Sequence, residues 1–269
     1  MRKPPRHSDR DRLRLEQYGD ASNLNARYEL HARFSTNERG WHPWVFDQFT
    51  APSGRKILEV GCGAGYLWTH NAERIPAHWQ VTLSDFSPGM VRAAKESLSN
   101  PGAEFDFVVC DVQAIPFGDR EFDVVIANHM LYHVPDRRKA YSEIRRVLKP
   151  GGRLYAAANG KGDKRSISEL ARRVNPNTFQ KKRGNSDWFS LESGRKELDE
   201  WFSDVRVRKY EDALRITESG PLVAYFKSFN RLSAAELRQL RIIADREIAC
   251  SGAIHIRKQP GLLIARKQV

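Results

Sequence analysis

The stretch from Leu58 to Trp68, LEVGCGAGYLW, constrains this chain more than any other part of it. An apolar run ends abruptly in glycine at positions 61, 63 and 65. An apolar run of this length is a buried strand. Glycines at alternate positions after it allow a tight turn and let a ligand lie against bare backbone. A dinucleotide fingerprint, G-x-G-x-x-G, would need its third glycine at position 66. Tyr66 stands there instead, Gly65 precedes it, and an acid, Glu59, lies two residues before the first glycine.

The pattern that follows tells what kind of sheet holds this turn. Short apolar strands are expected at 56–61, 79–84, 104–109, 122–127 and 152–158, with helical spacing near 65–74, 88–98 and 136–148. Strands alternating with helices build a parallel sheet covered on both faces. The expected fold class is α/β: a Rossmann-like, doubly wound, mostly parallel seven-stranded sheet with a helical lid.

The expected organisation is a mobile basic tail over 1–12, an N-terminal helical cap over 13–50, a cofactor-binding core over 51–159, and acceptor-binding insertions with the last strands of the same sheet over 160–269. The segment APSG at 51–54 reads as a break, and 160–200, including QKKRG at 180–184, as polar and cationic. Within the last region, 202–212 alternates like a half-exposed strand and 219–249 reads as helical. Residues 253–267 read as two strand arms around Pro260-Gly261, a hairpin or a bulged strand.

With 269 residues and 40% hydrophobic composition, the chain can bury a large core. Its formal net charge of +12 suits anionic partners, but no block of five or six like charges occurs, and a solvated surface explains the excess as well. Cys62, Cys110 and Cys250 make neither a disulfide framework nor a metal-ligand pattern, so no metal site is expected. No signal-peptide core and no run of about 18 apolar residues is present, which implies a cytoplasmic protein without a membrane partner.

Three further acids and amides fall where parallel strands end, the edge at which open α/β sheets receive ligands. Asp85 ends the second strand in VTLSDFS and could accept both hydroxyls of a ribose. Asp111 follows the third strand in CDVQAIPF, placed to accept from an adenine amino group. The fourth strand, in FDVVIANHMLYHVPD, ends in Asn128, His129, Tyr132 and His133.

Taken in order, LEVGCGAG, SDFS, DVQAIPF, FDVVIANHMLYHVPD and LKPGGRL resemble a class I S-adenosylmethionine-dependent methyltransferase over about residues 55–158. The likeness is to the small-molecule branch that includes ubiquinone-biosynthesis-type C-methyltransferases. The resemblance implies S-adenosyl-L-methionine as cofactor. It implies that the turn Gly61, Cys62, Gly63 and Gly65, with Glu59, holds the methionine end of the cofactor. It places Asp85 on the ribose, Phe86 and Met90 beside the adenine, and Asp111, Val112 and Gln113 at the adenine edge. Asn128 and His129 would lie near the sulfonium. Tyr28 and Arg33, on an N-terminal helix, would close over the cofactor and reach its carboxylate. For Phe86, Met90 and Val112, ordinary core packing is an equal reading.

Methyl transfer from a sulfonium is an in-line displacement, so orientation alone can supply much of the rate. A base is needed only for a protonated acceptor. His129 and His133, four apart, could share a helix face, and His133 is the candidate general base or acceptor-orienting group. Capping a loop or packing against the cofactor is the competing role. Tyr18, Trp41, Tyr132, Trp188 and Tyr225 could line an acceptor pocket or pack in the core.

No cysteine follows strand four, as pyrimidine C5 methylation would need, and no Asn/Asp-Pro-Pro-aromatic loop stands there. The expected reaction is therefore methylation of a small-molecule acceptor at N, O or C in metabolite or natural-product biosynthesis. The cationic residues Lys161, Lys164, Arg165, Arg172, Arg173, Lys181, Lys182 and Arg183 would suit an anionic acceptor. An RNA methyltransferase, favoured by charge alone, and a non-catalytic cofactor-binding relative are the alternatives.

Overall fold

The computed structural model describes residues 9–49, 55–99, 104–163, 165–178 and 189–268. Strands β1 (Lys56–Val60), β2 (Gln80–Asp85), β3 (Phe105–Val109), β4 (Phe122–Asn128) and β5 (Leu148–Asn159) run through the first part of the chain. They are followed by β6 (Ser203–Lys209), β7 (Ala213–Ile216), β8 (Ile254–Arg257) and β9 (Pro260–Arg266). Side chains alternate across a strand, and β4 shows the consequence. Val124 and Ile126 enter one core while Val125 and Ala127 enter the other, and all four are buried. A strand with both faces buried belongs at the centre of a parallel sheet.

The seven-stranded sheet has the order β3-β2-β1-β4-β5-β9-β6. All neighbours are parallel except β9, which is antiparallel to both β5 and β6. The helices are α1 (Asp9–Arg12), α2 (Ser22–Phe34), α3 (Trp41–Asp47), α4 (Tyr66–Thr69), α5 (Pro88–Ser97), α6 (Arg137–Val147), α7 (Arg165–Val174), α8 (Leu191–Asp199), α9 (Ser219–Lys227) and α10 (Ala234–Ser251). Helix α6 buries Ala140, Tyr141, Ile144 and Val147 on one face of the sheet, joined there by α8. Helices α3, α4 and α5 cover the other face through Val45, Phe46, Leu67, Trp68 and Ala94. The expected doubly wound α/β fold is thus the fold observed. The strand order reverses between β1 and β4, and the crevice at their carboxyl ends is where such sheets bind ligands.

A third core joins α2, α7, α9 and α10 around a separate two-stranded sheet, β7 with β8. This is the helical lid, and the small sheet in it was not anticipated from the sequence. Residues 253–267 do not form a hairpin. β8 pairs with β7, whereas β9 inserts between β5 and β6. The burial patterns give the reason: β8 alternates and suits a half-exposed sheet, while β9 is almost continuously buried and suits an interior strand. Between them, Lys258 forms a nearly buried ion pair with Asp212. The carboxylate also accepts from Ser35 Oγ, Thr36 N and Ala213 N, tying the end of α2 to the lid.

Two expected helices are broken. The run 65–74 is α4 followed by a 3-10 turn at Ala72–Arg74. The run 219–249 is interrupted before Ser233, whose side chain makes a reciprocal capping box with Glu236 and starts α10. The APSG and QKKRG segments, together with residues 1–8, Lys164, Lys181, Lys182, Arg183 and Trp188, lie outside the described residues. Among the described residues, no helix is long and apolar enough to cross a membrane.

Candidate active site at the carboxyl ends of the parallel strands

The turn after β1 uses its glycines as the sequence requires. Gly61, Gly63 and Gly65 have φ of 70°, 57° and 79°, a region that side-chain-bearing residues avoid. A β-carbon at Gly61 would also lie 2.7 Å from the Met130 side chain, and one at Gly63 3.0 Å from Leu24 Cδ2. Two flexible side chains, one from the loop after β4 and one from α2, therefore rest against this turn.

Asp85, at the end of β2, is locked in register with it. Its Oδ2 accepts from Gly63 N at 3.0 Å and its Oδ1 from Ser87 N at 2.8 Å. Burial raises its pKa, and the backbone N–H groups of Ser87, Gly63 and Phe86 oppose that rise. Ser87 caps α5 by accepting from Gly89 N and Met90 N, and its hydroxyl donates to Tyr18 O at 2.6 Å. The N-terminal segment can cross here only because residue 89 is glycine: a β-carbon there would stand 2.0 Å from Gly19 O.

Asp111 is oriented by its neighbour. Gln113 Nε2 lies 3.1 Å from both carboxylate oxygens, and Gln113 N donates to Oδ1 at 3.0 Å. The same amide accepts from Asp136 N through Oε1. Gln113, named with the adenine edge, is buried and braces Asp111. Val112 packs in the core with Ile115 and Leu131, and Met90 is fully buried. Phe86 is half-buried, with the Arg14 guanidinium 5.6 Å from its ring centroid.

Glu59 is 2% exposed. Its Oε2 accepts from Trp68 Nε1 at 2.6 Å and its Oε1 from Asn128 Nδ2 at 3.2 Å. Burial pushes its pKa up to about 8, against the two hydrogen bonds. Asn128 Oδ1 is buried without a protein hydrogen-bond partner among the described residues. An acid and an unsatisfied carbonyl oxygen side by side suit a donor from a ligand, because a buried acceptor left bare is costly. The Cys62 side chain lies in the core with Leu67 and Trp68 of α4, and burial, with Asp85 and Glu59 nearby, raises its thiol well above the usual range.

The loop after β4 differs from expectation. His129 has φ of 50°, and the helix that follows is a single 3-10 turn, Leu131–His133. The two histidines therefore share no helix face. The His129 ring packs 5.1 Å from Trp41, whereas His133 faces the N-terminal segment. His133 Nε2 lies 3.1 Å from Tyr18 Oη. Burial, then the nearby Arg27 charge, lowers the pKa of His133 to about 4. The ring is neutral near pH 7. Arg27 Nη1 donates to Tyr18 Oη at 3.2 Å, and with His133 protonated on Nδ1 the phenolic O–H can donate to His133 Nε2. Tyr132 is half-buried beside His133, their ring centroids 4.5 Å apart. Tyr225 packs in the third core.

The two residues of α2 expected near the cofactor carboxylate both have protein partners. Arg33 pairs with Glu218 at 2.6 Å and Glu29 at 3.7 Å, so its charge is already met. Tyr28 stacks on Tyr66 and bonds His70 Nε2 at 2.5 Å, which places it beside α4 with its hydroxyl occupied. The arginine of α2 that faces the His133 loop is Arg27. Nothing in NARYELHARF marks one arginine above the other. Of the cationic residues named for the lid, Lys161 N donates to Glu192 and Arg173 pairs with Glu247.

Residues 58–156 match the family model described as a methyltransferase domain. The ubiquinone/menaquinone biosynthesis C-methyltransferase UbiE of Bordetella avium is 33% identical over 116 residues, covering 43% of this chain and 45% of that protein. The demethylmenaquinone methyltransferase of Renibacterium salmoninarum is 35% identical over 119 residues, covering 44% and 47%. The matched stretch thus spans a little under half the length of these curated relatives. Among solved structures, Bacillus subtilis YcgJ aligns with a TM-score of 0.60 at 17% identity, covering 85% of this chain and 98% of that one. Haemonchus contortus phosphoethanolamine N-methyltransferase 2, in complex with phosphomonomethylethanolamine and S-adenosylhomocysteine, aligns with a TM-score of 0.62 at 20% identity, covering 99% and 62%. The match to a methyltransferase domain thus covers β1 to β5 in sequence, and the likeness of fold to these structures extends over most of the chain.

Proposed function

We propose that this chain, which carries a methyltransferase domain over residues 58–156, is a S-adenosylmethionine-dependent methyltransferase acting on a small-molecule acceptor in biosynthesis. The observation that carries the reading is the coupling of Asp85 to the glycine turn. Gly63 N and Ser87 N fix the carboxylate at the end of β2 beside the glycine turn, with Asp111 braced just after β3. These residues suit a nucleoside with two ribose hydroxyls and an exocyclic amine. The unsatisfied Asn128 Oδ1 beside Glu59 suits an ammonium. Entry of the methionine end past Gly61 and Gly63 asks only that the Met130 and Leu24 side chains turn away. The group supplies, when bound, a methyl on a sulfonium that an acceptor lone pair displaces in line.

The chain's own part is orientation, dryness and proton handling. Tyr18 reaches the site from the N-terminal segment, and its hydroxyl is polarised by Arg27 on one side and His133 on the other. A protonated acceptor would pass its proton to Tyr18 Oη as the phenolic proton moves to His133 Nε2. In this reading His133 is the terminal proton acceptor behind Tyr18 and does not itself contact the nucleophile. A carbon nucleophile activated as a phenolate or enolate would use the same pair to hold its oxygen. Calorimetric titration with S-adenosylhomocysteine tests the proposal: binding to the wild type and its loss in Asp85→Ala support it, and no binding to the wild type refutes it.

A further inference from the structure

Arg27 has an electrostatic problem that its neighbours do not solve. It is half-buried, and its guanidinium makes four hydrogen bonds: Nε to Ser228 Oγ at 2.9 Å, Nη1 to Tyr18 Oη at 3.2 Å, and Nη2 to Gln17 Oε1 at 2.6 Å and to Ser228 O at 2.8 Å. All four acceptors are neutral. Its face lies over Phe229, 4.4 Å from the ring centroid. None of the ion pairs among the described residues includes it. Two other half-buried arginines show the contrast: Arg137 is neutralised by Glu197 at 2.7 Å and Arg146 by Glu143 at 2.8 Å. A guanidinium carries five N–H donors, so one on Arg27 is unassigned. A cation withdrawn from water without a counter-charge is poorly compensated by dipoles alone.

The position of this cation gives the deficit a meaning. Arg27 touches Tyr18, which touches His133. It also holds Ser228, at the end of α9, so it joins the N-terminal segment to the lid. We infer that Arg27 is the receptor for an anionic group, carboxylate or phosphate, on the methyl acceptor, and that the missing counter-charge is brought by the substrate. This rests on the methyltransferase reading above and adds the acceptor's chemical class to it. The anion would accept from the remaining Nη1–H of the guanidinium, which sets the nucleophile beside Tyr18 Oη and leaves a neutral pair. An acceptor without the anion would leave the charge unmet. Selection would therefore act against neutral congeners, a stronger form of discrimination than shape alone gives.

The test uses the full chain saturated with S-adenosylhomocysteine and titrates benzoate, inorganic phosphate and the neutral benzamide. The readouts are calorimetry and the Arg27 Nε–H NMR resonance, assigned by its absence in Arg27→Lys. The expected result is that benzoate or phosphate moves that resonance and saturates at or below about 10 mM, whereas benzamide does not. Which of the two anions binds more tightly separates a carboxylate acceptor from a phosphorylated one. Arg27→Met should weaken the anion at least tenfold with S-adenosylhomocysteine affinity within twofold, and Arg27→Lys should retain part of the response. If Arg27→Met does not fold, the wild-type resonance and Arg27→Lys decide alone. Neither anion moving the resonance, or wild type and variants binding anion alike, overturns the assignment while leaving cofactor binding intact. Absence of S-adenosylhomocysteine binding in the wild type is a different failure, that of the reading beneath it.

Discussion

Replacing Glu59 by glutamine should make the protein's stability less dependent on pH, and the sign follows from burial. The carboxyl group is 2% exposed and its pKa is pushed up from 4.5 to about 8. Between those values the folded protein keeps a proton that the unfolded chain gives up. The folded state then binds more protons than the unfolded state, so stability falls as pH rises through this window. The slope is at most about 1.4 kcal/mol per pH unit, or about 4 kcal/mol from pH 5 to 8. At about 2–4 °C per kcal/mol for a chain of this size, the wild type should lose roughly 10 °C in Tm relative to Glu59→Gln across that range.

Glutamine fits the site, because its carbonyl can accept from Trp68 Nε1 while its amide donates to Asn128 Oδ1 once the Asn128 amide turns over. Thermal unfolding of both proteins in matched buffers from pH 5 to 8 reads the difference directly. Parallel Tm curves would refute the reasoning, since they would mean that Glu59 ionises in the fold as easily as in the unfolded chain. A companion measurement addresses its ligand. An ammonium beside Glu59 favours the ionised acid, so binding of S-adenosylhomocysteine at pH 7 should release a proton. That release is seen as a dependence of binding enthalpy on buffer ionisation heat, absent in Glu59→Gln.

Other substitutions separate binding, chemistry and folding. Asp85→Asn removes the charge that Gly63 N and Ser87 N hold in place. It should weaken S-adenosylhomocysteine by about 10–100-fold in calorimetry; unchanged affinity would take Asp85 out of the site. Tyr18→Phe keeps the ring but breaks the link to His133. It should cut kcat by about 100-fold or more on a protonated acceptor with cofactor affinity within twofold. With the His133 pKa lowered to about 4, the acid limb of kcat in the wild type should fall near that pH, and a limb near 6.5 would contradict the pairing. Lys258→Met leaves Asp212 buried without its cation. Denaturant titration should show a loss of about 3–5 kcal/mol, with much of it recovered in Lys258→Met/Asp212→Leu.

The parallel half of the sheet was legible because its signals are local. Each strand is an apolar run bounded by a turn, and the glycine turn, Asp85 and Asp111 sit at fixed offsets from strand ends. The backbone confirms the conformational demand at all three glycines. The end of the chain was less legible because β8 and β9, separated only by Lys258 and Gln259, belong to different sheets. Pro260-Gly261 reads as a turn from the sequence, but it opens β9 instead. What sends β9 away from β8 is its fit between β5 and β6, which is a property of distant strands and not of the segment itself.

The acceptor side shows the limit most clearly, through two arginines on one helix. Arg27 and Arg33 lie six positions apart on α2, which turns them about 120° from each other around the helix axis. Spacing therefore says that only one of them can face the site, and it cannot say which. The choice is made by partners far away in sequence. Glu218 takes Arg33 at the start of α9, whereas Ser228 and Phe229 at its end receive Arg27 with dipoles and a ring but no charge. Helix α9 thus presents an acid to one arginine and neutral groups to the other. The sequence shows two equivalent cations, and the fold neutralises one and leaves the other beside Tyr18. If that difference has a function, exchanging Glu218 for glutamine should cost lid stability without changing anion binding, while any change at Arg27 should do the reverse.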